Sequence, residues 1–266
     1  MLIIIINEKQ PKTRLKDCMN ISTNDKKNNE LSLIEELKEV VSTCDSSAKV
    51  VLPFEVEKGE EYIIEPIGDI KKKPFFSFFK RLFDIFFSLI CLTLLIVPFI
   101  IVAIIIKCSS KGSVFYTQER LGLNGKKFKV IKFRSMHVDA EKDGARWSSG
   151  DNDQRIYKFG KVLRKTRFDE LPQLICCLIG TMSLIGPRPE RECFYVEFEK
   201  YIHGFSQRLN VKPGITGLAQ VSGGYDLKPQ EKVLLDIEYI KKRSIWLDIK
   251  IMFKTIAVIF NHKGAK

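Results

Sequence analysis

The sequence predicts an α+β fold in which a mostly helical domain carries one small β-hairpin, a membrane-inserted helix and amphipathic helices at the membrane interface. Three observations lead to this prediction: an uncharged apolar run at 85–106, an Asn-Gly turn between two β-rich stretches, and helical spacing of apolar residues towards the C-terminus. With 266 residues, 45% of them apolar, the chain has enough material for a sizeable core, which excludes disorder throughout.

The charge balance indicates an anionic partner. The chain carries 44 Lys and Arg against 32 Asp and Glu, and nucleic acid, anionic lipid headgroups and phosphorylated small molecules all suit this excess. Seven cysteines without a C-x-x-C spacing argue against a disulfide framework and indicate a reduced, cytoplasmic environment. Only three histidines are present, so a bound metal is expected to be hard and oxygen-ligated.

Residues 1–70 are predicted to form a small α/β appendage of unassigned role. The opening stretch "MLIIIINEKQ" is typical of a short buried strand, because it is too short for a secretory signal and lacks a basic n-region. Helical spacing of apolar residues follows at 30–41. No chemistry can be assigned to this part from its pattern.

The segment 71–111 combines a basic flank with a membrane-inserted helix. Residues 85–106 contain no charge, and seventeen of these 22 residues are Ile, Leu, Phe or Val. Each such residue contributes roughly −0.3 to −0.6 kcal/mol at the bilayer centre, so the run as a whole favours insertion. The length of the run disfavours the alternative, a buried core helix of a soluble protein.

Basic residues on both sides of the run favour a cytoplasmic location for both of its ends. They are Lys71, Lys72, Lys73, Lys80, Arg81, Lys107 and Lys111. Pro98 provides a candidate break, because it removes one backbone donor; each arm would then have about 12 residues, or roughly 18 Å, enough for one leaflet. A spanning helix also tolerates proline, so both arrangements stay open at the level of the sequence.

A β-hairpin is predicted within 113–136. Asn124-Gly125 separates two β-rich stretches and is a strong signal for a tight turn. Four polar side chains cluster around this hairpin and are candidate substrate ligands: Gln118, Arg120, Lys132 and Arg134.

The last helical stretch, 244–260, is apolar on most of its circumference. Trp246, Lys250 and Lys254 are available for lipid headgroups, which is typical of an amphipathic helix at the membrane interface. Packing of this helix against the core is the alternative.

Asp169 and Glu170 form an acidic pair in basic surroundings. Proline is acceptable only in the first turn of a helix, so Pro172 predicts a helix that begins at about Asp169 or Glu170, with Asp169 at or near the N-cap. The helix dipole and nearby cations should keep Asp169 fully ionised at neutral pH. Two adjacent carboxylates suit Mg²⁺ shared with substrate phosphates, and an aspartate can attack phosphorus. An ordinary helix cap is the alternative role of Asp169.

Arg188 stands between Pro187 and Pro189, and these three residues are candidates for substrate binding. The prolines fix the backbone on both sides, so the guanidinium has little entropy left to lose, which suits bidentate binding of phosphate or carboxylate. An arginine on an exposed turn is the alternative.

The chain resembles the bacterial sugar transferase family in four motifs that follow the family's order and approximate spacing: "FYTQERLGLNGKKFKVIKFRSM", "LRKTRFDELPQL", "MSLIGPRPE" and "VKPGITGLAQVSGGYDL". The resemblance covers about residues 75–266, includes the "KRLFD" stretch before the membrane run, and leaves the first 70 residues outside. It implies a monotopic phosphoglycosyltransferase that moves a sugar phosphate from a nucleotide diphosphosugar to polyprenyl phosphate.

By this resemblance Asp169 is the nucleophile and Glu170 its metal partner, with Mg²⁺ as the cofactor. Contacts to phosphate and nucleotide diphosphate fall on Lys132, Arg164 and Arg188. The resemblance also implies a re-entrant helix with both ends cytoplasmic, in agreement with the charge pattern. Many relatives have Ser-Pro at the helix break, whereas this chain has Val97-Pro98.

The resemblance further implies that 112–266 is a catalytic domain on the cytoplasmic face of the bacterial inner membrane. It would transfer a hexose or N-acetylhexosamine phosphate from a UDP-sugar to undecaprenyl phosphate, releasing UMP, through a covalent aspartyl-phosphosugar. This would be the first membrane step of exopolysaccharide, capsule or other glycan assembly. Membrane lipids are expected partners, nucleic acid is not, and a homodimer is left open. The alternatives are a membrane-anchored protein that binds anionic lipid or nucleic acid, and a catalytically idle subunit of a polysaccharide assembly complex.

Overall fold

The computed structural model describes residues 4–6, 61–68, 70, 73–140, 153–223 and 227–261. Its α-helices are α1 (Pro74–Leu94), α2 (Ile96–Ser109), α3 (Lys158–Lys165), α4 (Leu174–Ile179), α5 (Glu192–Glu199), α6 (Leu218–Ser222), α7 (Pro229–Lys242) and α8 (Ile245–Asn261). Its strands are β1 (Ile4–Ile6), β2 (Glu61–Ile63), β3 (Phe115–Leu121), β4 (Lys127–Phe133), β5 (Ser183–Ile185), β6 (Ile202–His203) and β7 (Gly214–Thr216). Short 3₁₀ helices cover Leu123–Gly125, Phe168–Gln173 and Phe205–Asn210. Helices dominate and the strands are short, so the predicted α+β class is confirmed.

The β-hairpin lies where the Asn-Gly turn predicts it. β3 and β4 pair antiparallel, with Phe115 opposite Phe133. Asn124 and Gly125 have φ angles of 55° and 71°, in the left-handed region that few other residues adopt without strain. The two residues therefore specify the reversal of the chain.

A three-stranded sheet joins the N-terminal segment to the rest of the protein. β2 pairs antiparallel with β1 and parallel with β6, so residues 61–63 lie beside 202–203. Ile64, directly after β2, is buried in the main core, and Gln207 accepts the backbone N–H of Ile67 at 2.7 Å. The predicted N-terminal strand is present at 4–6, whereas the predicted helix at 30–41 lies outside the described residues. The boundary of an appendage at residue 70 stays a prediction.

Polar residues on one side of α1 fasten this helix to the core. Arg81 donates to the carbonyl of Leu178 at the end of α4, at 2.8 Å. Asp84 is buried and accepts the backbone N–H of Leu184 in β5 at 3.0 Å. The remaining surfaces of α1 and α2 expose large apolar side chains, among them Phe75, Phe78, Phe86, Leu94, Val97 and Ile104.

α1 and α2 meet at a bend of 61°. The prediction of equal arms divided at Pro98 is wrong, because the break lies at Leu95 and the arms have 21 and 14 residues. The ring of a helical proline clashes with the carbonyl of residue i−4, which here is Leu94, the last residue of α1. Pro98 itself lies in the first turn of α2, where proline is tolerated. Among the described helices, none could cross a membrane unaided by length and apolar composition, but this bent pair taken together could.

α8 has two different faces. Ile251 is fully buried in the main core, whereas Trp246 is 81% exposed and Phe253 66% exposed. Packing against the core is therefore confirmed for one face, and the outer face stays a candidate for the membrane interface.

Candidate active site

A cavity of about 360 Å³ lies between the β-hairpin, the 3₁₀ helix Phe168–Gln173 and the loop that follows β5. Among the described residues that line it, eight are Lys or Arg and three are Asp or Glu. A cavity with this excess of positive charge favours a ligand with several negative charges.

Most of the site residues predicted from the sequence meet in this cavity. Its lining includes Gln118, Arg120, Lys132, Arg134, Arg164, Asp169, Glu170 and Arg188. Pro187 and Pro189 are not part of the lining and lie buried on either side of Arg188. Side chains alternate between the two faces of a strand, so positions 116, 118 and 120 lie on one face of β3. Position 132 lies on the same face, because it pairs with position 116 across the hairpin. This face therefore supplies several polar groups to the cavity.

Asp169 and Glu170 lie in the 3₁₀ helix, and α4 begins only at Leu174. The helical region thus begins close to the predicted position. Its first part is a 3₁₀ helix, and Pro172 lies within that 3₁₀ helix. The N-cap residue is Arg167 instead of Asp169, and no side chain caps this helix. The capping alternative for Asp169 is therefore wrong.

The Asp169 carboxylate is buried, and its pKa is raised. It is 7% exposed, and no described residue donates a hydrogen bond to it. Burial and the adjacent negative charge of Glu170 raise the pKa of Asp169 to about 6, against the opposing effect of Lys132, Arg164 and Arg188. The expectation of full ionisation therefore needs correction, because desolvation outweighs the cations. At pH 7 roughly nine-tenths of the carboxyl groups are ionised.

Glu170 is held by two cations. Its Oε1 accepts from Lys132 Nζ at 2.7 Å, and its two oxygens accept a fork of hydrogen bonds from Arg188, with Oε2 at 3.1 Å from NH1. Burial alone would raise the pKa of Glu170, but Arg188 and Lys132 outweigh burial and hold that pKa well below its usual range. Glu170 is therefore a permanent anion that orients both cations beside Asp169.

The backbone around Arg188 is fixed by hydrogen bonds to successive carbonyls. The N–H of Gly214 donates to Pro187 at 2.8 Å, and the guanidinium of Arg208 donates to Arg188 at 2.9 Å. Gly214 allows this approach, because a Cβ at this position would collide with the backbone nitrogen of Gly186. The loop thus presents the Arg188 side chain from a rigid backbone.

Arg134 has partners that the sequence did not predict. Its guanidinium donates to the carbonyls of Ser110 at 2.7 Å and Lys111 at 2.6 Å, directly after α2. Gly112 leaves the space for this contact, because a Cβ there would collide with the guanidinium. Arg134 therefore ties the end of α2 to the cavity wall, and its contact with substrate stays a prediction.

The family model described as bacterial sugar transferase matches residues 75–262. The chain belongs to the bacterial sugar transferase family. The matched range contains the β-hairpin, the acidic pair and the Arg188 loop, and it begins after β2.

Curated relatives carry closely related descriptions. The UDP-N-acetylgalactosamine-undecaprenyl-phosphate N-acetylgalactosaminephosphotransferase of Aeromonas hydrophila is 41% identical over 75% of this chain and 48% of its own length. The UDP-glucose:undecaprenyl-phosphate glucose-1-phosphate transferase of Klebsiella pneumoniae is 41% identical over 81% of this chain and 47% of its own length. The chain therefore spans about half the length of these two relatives. The exopolysaccharide production protein ExoY of Rhizobium meliloti is 35% identical over 77% of this chain and 94% of its own length.

The sequence did not single out two residues that support this site, Arg208 and Asp236. Arg208 donates to Asp236 at 2.7 Å, and both side chains are almost completely buried. The Arg208 guanidinium also lies 4.8 Å from the centre of the Phe205 ring. No motif or spacing connects Arg208 with a residue 28 positions later on α7, so the pair becomes visible only in the folded chain.

The acidic pair is the candidate site for the Mg²⁺ ion that the resemblance implies. Within the described ranges, no group of three or more His, Cys, Asp and Glu side chains is arranged to hold a metal. Both oxygens of Glu170 already accept hydrogen bonds from cations, whereas the Asp169 carboxylate accepts none from the part of the chain that the structure describes. These residues fit an ion that takes one or two protein carboxylates and completes its shell with substrate phosphates and water, as Mg²⁺ commonly does.

Proposed function

We propose that this protein transfers a sugar-1-phosphate from a UDP-sugar to a polyprenyl phosphate such as undecaprenyl phosphate. The observation that carries the proposal is Asp169, a buried carboxylate that receives no hydrogen bond from the described residues and lies in a strongly cationic cavity. A carboxylate in this state is a competent nucleophile towards a phosphorus atom that the surrounding cations hold. The substrates for which the Aeromonas and Klebsiella relatives are named support this choice.

In the first half-reaction, an oxygen of ionised Asp169 attacks the β-phosphorus of the UDP-sugar. The bond between that phosphorus and the oxygen bridging to the α-phosphorus breaks, and UMP leaves with the electron pair. The phosphorus of the sugar phosphate is then bonded to the carboxylate oxygen of Asp169, which forms an acyl phosphate. Arg188 and Lys132, both oriented by Glu170, neutralise the charge that develops on the diphosphate.

In the second half-reaction, a phosphate oxygen of the polyprenyl phosphate attacks the same phosphorus. The bond to Asp169 breaks, the carboxylate is restored, and a polyprenyl diphosphosugar is released. Because one product leaves before the second substrate reacts, the kinetics are ping-pong.

Cations are necessary because several anions must meet in one cavity. Two unit charges about 4 Å apart repel by roughly 4 kcal/mol at an effective dielectric constant of about 20. The eight Lys and Arg residues among the described lining counter this repulsion between nucleophile, diphosphate and acceptor phosphate. A Mg²⁺ ion held by Asp169 or Glu170 together with substrate phosphates would supply further neutralisation.

We place the cavity at the cytoplasmic face of the bacterial inner membrane, with α1 and α2 entering one leaflet and returning. The exposed apolar surface of both helices supports this placement, as do the basic residues on both sides of the run. With 14 residues, α2 is about 21 Å long, which suits one leaflet better than a bilayer core of roughly 30 Å. The lipid acceptor would then reach the cavity by lateral diffusion.

The Asp169→Asn variant tests the reaction. Vesicles that contain undecaprenyl phosphate are incubated with the protein and a UDP-sugar, and release of UMP is measured. We expect the variant to release no detectable UMP while it still binds the vesicles, since the amide is not a nucleophile. Glu197→Gln is the matched control, because it removes the charge of a surface carboxylate paired with Lys200 and should leave the rate unchanged.

UMP release by Asp169→Asn at near the wild-type rate would contradict the assignment of the nucleophile. A wild-type protein that releases no UMP with any sugar of a UDP-glucose, UDP-galactose and N-acetylhexosamine panel would contradict the reaction itself and favour an idle subunit or a lipid-binding protein. The same panel identifies the transferred sugar.

A further inference from the structure

A second, smaller hydrophobic core lies between the membrane helix α2 and the cavity. Its fully buried members are Ile106 of α2, Phe133 of β4 and Leu163 of α3. Phe99 of α2 and Phe168 pack against them as partly buried side chains. This small core thus connects one arm of the bent helix pair to two segments that carry site residues.

Three aromatic rings form the centre of this core. The ring of Phe99 lies 5.0 Å from Phe133 in an edge-to-face arrangement and 5.9 Å from Phe168, while Phe133 and Phe168 are stacked at 6.3 Å. Aromatic pairs at these separations add about 0.5–1.5 kcal/mol each beyond the burial of their area. The three rings therefore hold their backbones in a defined mutual position.

Two of the rings are sequence neighbours of residues assigned to the chemistry. Phe168 directly precedes Asp169, so its ring position bears on where the carboxylate lies. Phe133 directly follows Lys132 in β4, and strand alternation sends the two side chains to opposite faces, Phe133 into the small core and Lys132 towards Glu170. A movement of this core would therefore displace both groups.

The third ring depends on the bend between α1 and α2. Phe99 directly follows Pro98, and its N–H donates to Leu95, the residue at the break, at 2.8 Å. The neighbouring residue Ile100 is 55% exposed, whereas Phe99 packs with Val102 and Ile106 on the inward side of α2. The bend thus determines whether the ring reaches Phe133 and Phe168.

We infer that Phe99 is a positioning residue, through which the bent membrane helix fixes the nucleophile and its cationic partner at the distance needed for attack on phosphorus. This inference rests on the proposed function and deepens it. It means that the membrane segment sets the geometry of the reaction in addition to holding the protein near its lipid acceptor. Because a misplacement of about 1 Å can cost on the order of 100-fold in rate, loss of one ring is expected to be visible in the kinetics.

The test follows the first half-reaction in one turnover. Wild type and Phe99→Ala are mixed with UDP-sugar in vesicles without acceptor, and both the rate constant and the final amount of protein-bound phosphosugar are measured. We expect the rate constant at saturating UDP-sugar to fall about 10- to 100-fold, with the final amount and the apparent affinity for UDP-sugar unchanged. A merely structural role would instead lower the final amount, because fewer molecules would be folded.

Two further variants complete the experiment. Phe86→Ala makes the same change on α1, at a ring that is 63% exposed, and should react at the wild-type rate. Phe99→Leu keeps most of the apolar volume and should recover most of the rate, so the inference stays testable if Phe99→Ala does not fold.

The outcomes separate this inference from the proposed function. If wild type forms the adduct, Asp169→Asn does not, and Phe99→Ala reacts within twofold of wild type, this inference is wrong and the proposed function stands. A loss in Phe99→Ala that appears only in the final amount, or an equal loss of rate in Phe86→Ala, also overturns it. If wild type forms no adduct, both fall together.

Discussion

At the residue scale, the environment shifts the pKa values of two adjacent carboxylates, Asp169 and Glu170, in opposite directions. Both are buried, and burial acts to raise both pKa values. Glu170 has hydrogen bonds from Arg188 and Lys132 that outweigh burial, whereas Asp169 feels the same cations only at a distance and keeps a raised pKa. The pair is thus divided into a permanent anion that orients cations and the proposed nucleophile, whose carboxylate accepts no hydrogen bond from the described residues.

The pH dependence of the first half-reaction follows from this division. The pKa of Asp169 is raised to about 6, and in the proposed reaction only the ionised carboxylate attacks phosphorus. We therefore expect the rate constant for adduct formation to be constant above pH 7 and to fall about tenfold per pH unit below pH about 6. A pH profile of kcat/KM for the UDP-sugar measures this acidic limb, the part of the profile in which the rate falls at low pH.

Glu170→Gln is the informative variant for the same profile. It removes the neighbouring negative charge that raises the pKa of Asp169, and it releases Lys132 and Arg188 to face Asp169. The acidic limb should then move to lower pH, while the plateau rate falls because the cations have lost their orienting partner. If the pH at which the rate begins to fall stays the same, the contribution of Glu170 to the raised pKa of Asp169 is contradicted.

At the element scale, β2 behaves as part of the folded domain although it precedes the range that the family model matches. It pairs in parallel with β6, and the N–H of Ile64 donates to His203 at 2.9 Å. β6 leads directly into the 3₁₀ helix Phe205–Asn210, which carries Arg208. The N-terminal segment thus supports an element that in turn holds the Arg188 loop.

Two neighbouring residues of this segment allow a matched test. Ile64 is 6% exposed and Ile63 is 41% exposed. Ile64→Ala should lower the free energy of unfolding by about 2–4 kcal/mol, because it leaves a cavity in the core. Ile63→Ala, the same change on the exposed side, should cost less than about 1 kcal/mol. Denaturant unfolding of both variants in detergent measures the difference, and equal effects would contradict the assignment of Ile64 to the main core.

At the scale of the whole molecule, hydrogen bonds connect the apolar helices α1 and α2 to the domain that contains the cationic cavity. α1 is fastened to α4 and β5 through Arg81 and Asp84, and the end of α2 is fastened to the cavity wall through Arg134. A bilayer that takes up the bent helix pair would therefore set the cavity at a defined height above the lipid surface. This arrangement suits a reaction between a soluble nucleotide sugar and a lipid phosphate.

Cys108 reports on this placement, because it lies exposed near the end of α2. In a re-entrant arrangement, a membrane-impermeant maleimide should label Cys108 from the same side as a cysteine introduced by Ser77→Cys near the start of α1. The measurement compares inverted with right-side-out membrane vesicles, and the Cys108→Ser variant gives the background from the other cysteines. Labelling of the two positions from opposite sides would contradict the re-entrant arrangement and favour a spanning one.

Local signals determined much of this protein from the sequence alone. The Asn124-Gly125 turn, the bend close to Pro98 and the approximate helix start at Asp169 each follow from backbone preferences of a few neighbouring residues. Family membership could also be predicted, because its motifs are contiguous stretches of the chain. Such features depend on short-range sterics and need no knowledge of the fold.

Only the tertiary structure decided the features that depend on burial and on distant partners. Lys132 and Glu170 are 38 positions apart, Arg208 and Asp236 are 28 apart, and no local pattern links either pair. The direction of the pKa shift at Asp169 could not be predicted from the sequence either. The neighbouring cations are visible in the sequence, whereas the burial that raises this pKa is not. Electrostatic energies and ring contacts are set by three-dimensional proximity in a medium of low dielectric constant, which a linear pattern does not encode.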